Sequence, residues 1–235
     1  MTIVDQGDLM SGSSNDANVQ LLVQTASIQA SSSQLANSLV EKSEYAGFTT
    51  SEFRKACELV EAGILDEAEK LLVDLDSEKL RLQFYATWKE YDRLNALALK
   101  PLKDYPKIKK VNKRMPPAAI VREVYERDFW ACRWCDTPVI ADKPIKAVHK
   151  LFPATFHKGT TNDSMHGLML SSRVSLDHVL PHSFGGTNEI ENLVTSCWPC
   201  QFGRGNDLIE RLGLIDPRER DPIPSDWDGC SRFKF

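Results

Sequence analysis

The sequence predicts an α+β fold: a small N-terminal helical bundle followed by a compact, cysteine-stapled ββα unit. Three observations carry that expectation. Short stretches between residues 50 and 91 place apolar side chains at helical spacing. Four cysteines fall into two Cys-x-x-Cys pairs, Cys132/Cys135 and Cys197/Cys200. Between residues 174 and 200, two strand-like runs flank a loop containing Gly185-Gly186 and lead into a helix start.

The bundle is built first. Thr50 offers a helix start, Phe53, Ala56, Cys57 and Val60 share one face, and Gly63 is a natural stop. Asp66 can cap a second helix that buries Leu71, Leu72 and Leu75. Ser77 can cap a third carrying Phe84, Trp88 and Tyr91. The phrase from Leu59 to Leu72 has the flavour of a tetratricopeptide unit, but no second copy follows at ~34 residues, so an ordinary helical hairpin is expected. Residues 1–15 are rich in Ser, Asn, Asp and Gly and are expected to be disordered. Ala17 to Lys42 has helical spacing interrupted by Ser31-Ser32-Ser33 and reads as a frayed or partner-dependent helix.

Charge divides the chain at the same place as pattern. Residues 1–99 hold 8 Lys/Arg against 16 Asp/Glu, a net −8, and residues 100–235 hold 21 against 17, a net +4. The organisation that follows is 16–99 as an acidic helical region suited to docking a protein partner, 100–115 as a basic linker, and 116–235 as the second domain. A mildly basic half can approach a polyanion. Pro116-Pro117 opens a helix from Ala118 to about Asp128. Pro138 and the mixed sequence up to Ser172 suggest loops and short strands, and Pro217, Pro222 and Pro224 suggest a tail that wraps over the domain.

At 235 residues, 42% hydrophobic and 26% charged, the chain has an ordinary globular composition, which excludes collagen-like and wholly disordered classes. No apolar run reaches the ~20 residues of a membrane-spanning helix, and the N-terminus has neither the basic start nor the apolar core of a signal peptide. A cytoplasmic protein without membrane contact is therefore expected. In a reducing compartment, doubled Cys-x-x-Cys spacing points to metal, and four thiolates satisfy tetrahedral zinc with no open position. Such an ion staples and does not catalyse. With 61 residues between the pairs, it clamps the end of one segment to the start of another. Cys57 and Cys230 lack such partners and are expected to be small buried residues.

The segment Asp177-His-x-x-Pro-x-x-x-Gly-Gly186, Glu191-Asn-Leu-Val194 and Cys197-x-x-Cys200 resembles the HNH endonuclease family. Arg122, Arg127-Asp128 and Cys132-x-x-Cys135 match what precedes that pattern, so the resemblance covers roughly 115–212. It implies a ββα-metal nuclease in the second domain and phosphodiester hydrolysis with Mg²⁺ or another divalent ion. It makes His178 the general base and Asp177 a carboxylate ligand of the catalytic ion, a hard donor for a hard cation. Asn192 becomes the brace of the His178 loop. Gln201 stands where the family usually has His or Asn, the second ligand, and its amide oxygen sits on an arm one methylene longer. Asn206 is a substitute donor. His182, Arg204 and Arg173 are candidate phosphate contacts.

Adjacent strand residues point to opposite faces, so Asp177 and His178 can serve one site only where the strand bends or ends. His149, His157 and His166 fit no metal spacing and are expected to be structural or exposed, outside the site. The function expected is a metal-dependent endonuclease acting on DNA, with RNA not excluded, as the effector of a bacterial defence or DNA-processing complex. The alternative is a non-catalytic, zinc-containing nucleic-acid-binding subunit. The bundle shows no DNA-reading helix and the chain has no Gly-x-x-x-x-Gly-Lys-Ser/Thr motif, so targeting is expected to come from elsewhere or to be loose.

Overall fold

The computed structural model describes residues 44–85, 87 and 113–235; the expectations for residues 1–42, for Trp88 and Tyr91, and for most of the basic linker fall outside them. Helix α1 spans Glu44–Glu61. It starts ahead of Thr50 because the Thr49 and Thr50 hydroxyls donate back to the carbonyls of Ala46 and Gly47, at 3.0 and 2.8 Å, and leave the N–H groups to the helix. Its end is as read. Gly63, at φ +75°, donates to Val60 O while Ile64 N donates to Leu59 O, the paired bonds that close a helix through a left-handed residue.

Helix α2 spans Leu65–Asp74, with Ala68 and Leu72 buried. Asp66 lies in its first turn, where its charge faces the positive end of the helix dipole, and Ile64 holds the cap position. Ser77 does cap the helical segment 78–85, accepting from Lys79 N at 3.2 Å.

These helices do not close a core among themselves. Phe53, Leu72 and Leu80 pack in one buried cluster with Ile145, Val148, Phe156, Leu168, Met169 and Phe233 from the second half of the chain. The Phe53 and Phe156 rings stack at 5.4 Å. The physical reason is size: a helical hairpin alone buries too little apolar surface to be stable, so its apolar face needs a second layer.

That layer comes from the segment read as loops and short strands, which instead forms two helices. Helix α3, Ala118–Arg127, follows Pro117 as expected. Helix α4, Asp142–Leu151, tolerates Pro144 because the residue sits in the first turn, where no N–H is needed. Helix α5, Gly167–Ser172, is capped by His166, whose Nδ1 accepts from Leu168 N at 3.2 Å. The tail wraps as read, with Trp227 Nε1 donating to Val139 O at 2.7 Å and Ala141 N to Gly229 O at 2.9 Å. Gly229 is obligatory there, since a Cβ would stand 2.3 Å from the Trp130 ring. No helix among the described residues is long and apolar enough to cross a membrane.

Two histidines, His157 and His166, and Asp76 latch the α2 region to this layer, and His149 braces the layer itself. Asp76 accepts from Gly167 N at 2.9 Å and also pairs with Arg81 and with His157 Nε2. His149 Nδ1 lies 2.8 Å from Phe156 O. His166 Nε2 donates to Leu72 O at 2.9 Å, so both ring nitrogens are committed with the ring neutral.

Strand β1, Val174–His178, pairs antiparallel with β2, Leu193–Cys197, in a register that sets Asp177 opposite Val194 and His178 opposite Leu193. Helix α6, Trp198–Arg204, follows β2 directly and completes the ββα unit. A short helix α7, Ile209–Leu212, comes next. Val124 of α3 packs on Leu176 and Leu193. Arg127 donates to Ile190 O and Leu193 O, and Asp128 accepts from Thr195 N at 2.7 Å, so the Arg-Asp pair ending α3 fixes where β2 begins.

Burial pushes the His166 ring down from 6.5 to about 4. The unfolded chain takes up that proton near 6.5, so the contribution is full above 6.5 and is lost as pH falls towards about 4. Urea unfolding should show stability falling over that window by up to about 3 kcal/mol from this group. A His166→Asn variant should show a flatter slope; an unchanged slope would contradict the buried neutral ring.

Candidate functional site

Cys132 and Cys135 sit on a tight turn after α3, closed by Cys132 N to Thr137 O at 2.9 Å and Asp136 N to Cys132 O at 2.8 Å. Cys197 ends β2 and Cys200 lies in the first turns of α6. All four are buried, and their sulfurs lie within 4.8 Å of one another. Cys135 Sγ and Cys197 Sγ are 3.7 Å apart. Tetrahedral zinc with Zn–S near 2.3 Å demands S–S separations of about 3.8 Å, so the donor set fits that ion as a closed site. Hydrogen bonds from the other three thiols hold Cys135 well below the usual thiol range, whereas burial pushes Cys197 up.

The turn that carries the first cysteine pair also reaches the site. Arg133 N donates to Thr195 O at 2.8 Å, docking the turn on β2. Trp134 Nε1 donates to Asp177 Oδ2 at 3.1 Å. The staple and the carboxylate are thus joined by one residue inside the Cys-x-x-Cys loop.

β1 ends at His178, and its last two residues line a single cleft of about 570 Å³ together with His182, Gln201, Asn206 and Arg114. Asp177 is 3% exposed and takes four donors. Oδ2 accepts from Trp134 Nε1 and from Arg204 Nε at 2.8 Å; Oδ1 accepts from Arg204 Nη2 at 2.5 Å and, at 3.4 Å, from Gln201 Nε2. Arg204 further donates to His178 O and Asp207 O.

His178 Nε2 lies 2.9 Å from Asn188 Oδ1. Burial pushes the ring below 6.5, against opposing help from Asn188 and Asp177, so it is neutral at neutral pH. Asn192 braces the intervening loop. Its Oδ1 accepts from Leu180 N at 2.9 Å, and its Nδ2 donates to Leu180 O at 3.1 Å and Thr187 O at 3.0 Å. The loop closes so tightly over this amide that a Cβ on Gly186 would stand 1.8 Å from Leu180 O.

Residues 169–213 match the family model for HNH endonucleases. The segment is an HNH domain. The match takes in β1, β2, α6 and the second cysteine pair; the first pair and α3 reach the HNH domain from outside it. Neither curated proteins nor solved structures gave a match to the chain.

Two of the expected phosphate contacts are placed otherwise. Arg173 pairs with Asp142 through Nε at 2.6 Å and Nη2 at 3.2 Å, stacks over Trp198, and is not among the cleft-lining residues. Arg204 does line the cleft, but it is 2% exposed and its guanidinium is committed to Asp177 and two carbonyls, because a buried carboxylate requires a partner. His182 stays at the cleft, its ring 6.0 Å from that of His178.

For a catalytic divalent ion, the HNH domain offers oxygen donors in the cleft, but Gln201 presents its amide nitrogen to Asp177 and its oxygen to Ser175 Oγ at 3.3 Å. A half-turn of that amide brings Oε1 beside Asp177 Oδ1 and lets Ser175 Oγ accept from Nε2. The donor chemistry then suits a hard cation. Asn188, Trp134 and Arg114 were missed from sequence. Nothing local in the sequence marks them: the partners of Asn188 are His178 and Lys113 O, and that of Trp134 is Asp177, 43 residues on.

An Arg204→Ala variant leaves the Asp177 charge buried and unpaired. Chemical denaturation should show a loss of about 3–5 kcal/mol. A loss under about 1 kcal/mol, the range of exposed arginines, would return Arg204 to the role of a surface phosphate contact.

Proposed function

We propose that the HNH domain is a metal-dependent endonuclease that hydrolyses phosphodiester bonds of nucleic acid, DNA in the first instance. The observation that carries this reading is His178, buried and neutral, lining the same cleft as the oxygen donors Asp177 and Gln201. A neutral imidazole at the end of β1 can take a proton from a water that attacks phosphorus. Asp177 Oδ1 and the turned Gln201 Oε1, with Asn206 nearby, would hold the ion. When bound, it supplies positive charge that offsets the charge gathering on the phosphoryl and departing 3′ oxygens.

The remaining residues orient and screen. Asn192 keeps the loop after His178 in one shape, and Arg204 fixes the Asp177 carboxylate so that its oxygens need no rearrangement during the reaction. Cys132, Cys135, Cys197 and Cys200 would hold zinc as the staple. The net +4 of residues 100–235 favours approach of a polyanion, and Arg114 brings one of those charges to the cleft. In the same reading the acidic N-terminal region docks a protein partner, and the chain serves as the effector of a bacterial defence or DNA-processing complex.

One observation favours a second reading, a nucleic-acid-binding subunit without turnover. Arg204 already neutralises Asp177, and a cation this close weakens the attraction of a divalent ion.

Plasmid incubated with purified full-length protein and Mg²⁺ or Mn²⁺ should be nicked or linearised, and EDTA should abolish the cut. His178→Ala should lower the rate by about 10²–10⁴. Because burial lowers the His178 pKa, the acid limb of kcat/KM should have its midpoint below 6.5, with activity rising as pH rises through it. Gel-shift binding with intact plasmid under every divalent ion would select the second reading.

A further inference from the structure

We infer that Asn188, anchored by the backbone carbonyl of Lys113, sets the tautomer of His178 and thereby makes Nδ1 the ring's basic atom. The inference rests on the reading of His178 as the base only for its consequence; the tautomer itself follows from donor and acceptor matching. Asn188 Nδ2 lies 2.7 Å from Lys113 O, and a carbonyl oxygen can only accept. That contact fixes which end of the amide faces the linker. The other end, Oδ1, then faces His178 Nε2 at 2.9 Å, and it too can only accept.

Nε2 must therefore carry the hydrogen. A neutral ring holds one such hydrogen, so Nδ1 keeps its lone pair. The opposite arrangement, with Nδ1 protonated, would require Asn188 to turn its Nδ2 towards the ring and set two oxygens against each other at the Lys113 contact. Neither partner can relieve that clash by rotating a hydrogen.

The same contact changes character during proton transfer. When Nδ1 takes a proton, the Nε2–H bond to Oδ1 becomes charge-assisted and strengthens, which helps a buried ring carry charge. Asn188 does this as a neutral amide. A carboxylate at this position would raise the ring's basicity, whereas the amide orients it and leaves burial dominant. The charged and titratable groups that act on the ring are Asp177, which raises its pKa, and His182 and Arg114, which lower it. Asn188 is thus a positioning residue, and the end of the basic segment 100–115 is tied to the base through the backbone carbonyl of Lys113, not through a lysine charge.

The test uses the zinc-loaded full chain with ¹⁵N-labelled histidine and long-range ¹H–¹⁵N NMR, without substrate. His178 should show a protonated Nε2 and an unprotonated Nδ1. Asn188→Ala should shift the Nε2 signal and lower kcat by about ten- to a hundredfold at unchanged KM. A wild-type ring protonated at Nδ1 would overturn the inference, as would an Asn188→Ala variant that leaves both ring nitrogen signals in place. Because the tautomer is read with no substrate present, a protein that cuts nothing would sink the nuclease reading and leave the tautomer result standing.

Discussion

Four buried thiols drawn to within 4.8 Å of one another are the constraint on which the rest of the described structure depends. Such a cluster joins a turn after α3 to the junction of β2 and α6, segments 62 residues apart between Cys135 and Cys197. A two-stranded ribbon is marginal by itself. Here it is held at one end by sulfur, underneath by α3 through Arg127 and Asp128, and above by α6. The Trp134 indole carries the constraint one step further, because the loop that offers two thiols also offers a hydrogen bond to Asp177.

Inside that frame, the geometry of the cleft is governed by how a carboxylate is accommodated at 3% exposure. Arg204 answers the desolvation cost with two parallel hydrogen bonds, and Trp134 and Gln201 take up the remaining lone pairs. The arrangement holds Asp177 rigid, which suits a metal ligand, and crowds it with positive charge, which does not. Gln201 is the hinge between these consequences. Its amide can present nitrogen or oxygen to the carboxylate, and only the oxygen makes a cation site. In the proposed reading, the rotation of this amide and the Arg204 charge together set how well the cleft would hold an ion.

What the sequence revealed and what it hid divide along the range of the interactions involved. The cysteine spacing, the Asp177-His178 and Gly185-Gly186 punctuation, and the Gly63 stop are local patterns, and the staple, the ββα unit and the end of α1 were legible from them. Helices α4 and α5 were not, because Pro138 and the mixed sequence after it read as loops and short strands, whereas the one proline inside α4, Pro144, sits in its first turn. Thr50 looked like a cap since a hydroxyl's choice between a forward N–H and a backward carbonyl is settled by the fold. Arg173 and Arg204 looked like phosphate contacts because a lone arginine carries no sign of its partner; Asp142 and Asp177 lie 31 and 27 residues away. Asn188 was hidden for the same reason, its two partners being His178 and a backbone carbonyl 75 residues upstream.

The helical N-terminal region gained a role that charge alone did not suggest. Its described helices bury Phe53, Leu72 and Leu80 against the layer that leads into β1. The central claim remains that the ion at the cysteines is closed and structural while chemistry takes place at His178. Zinc-edge X-ray absorption on the purified full chain tests it most directly. Four sulfur ligands at about 2.3 Å, with no light-atom ligand, are predicted; an oxygen or nitrogen in the first shell would show an open zinc and contradict the division between staple and site.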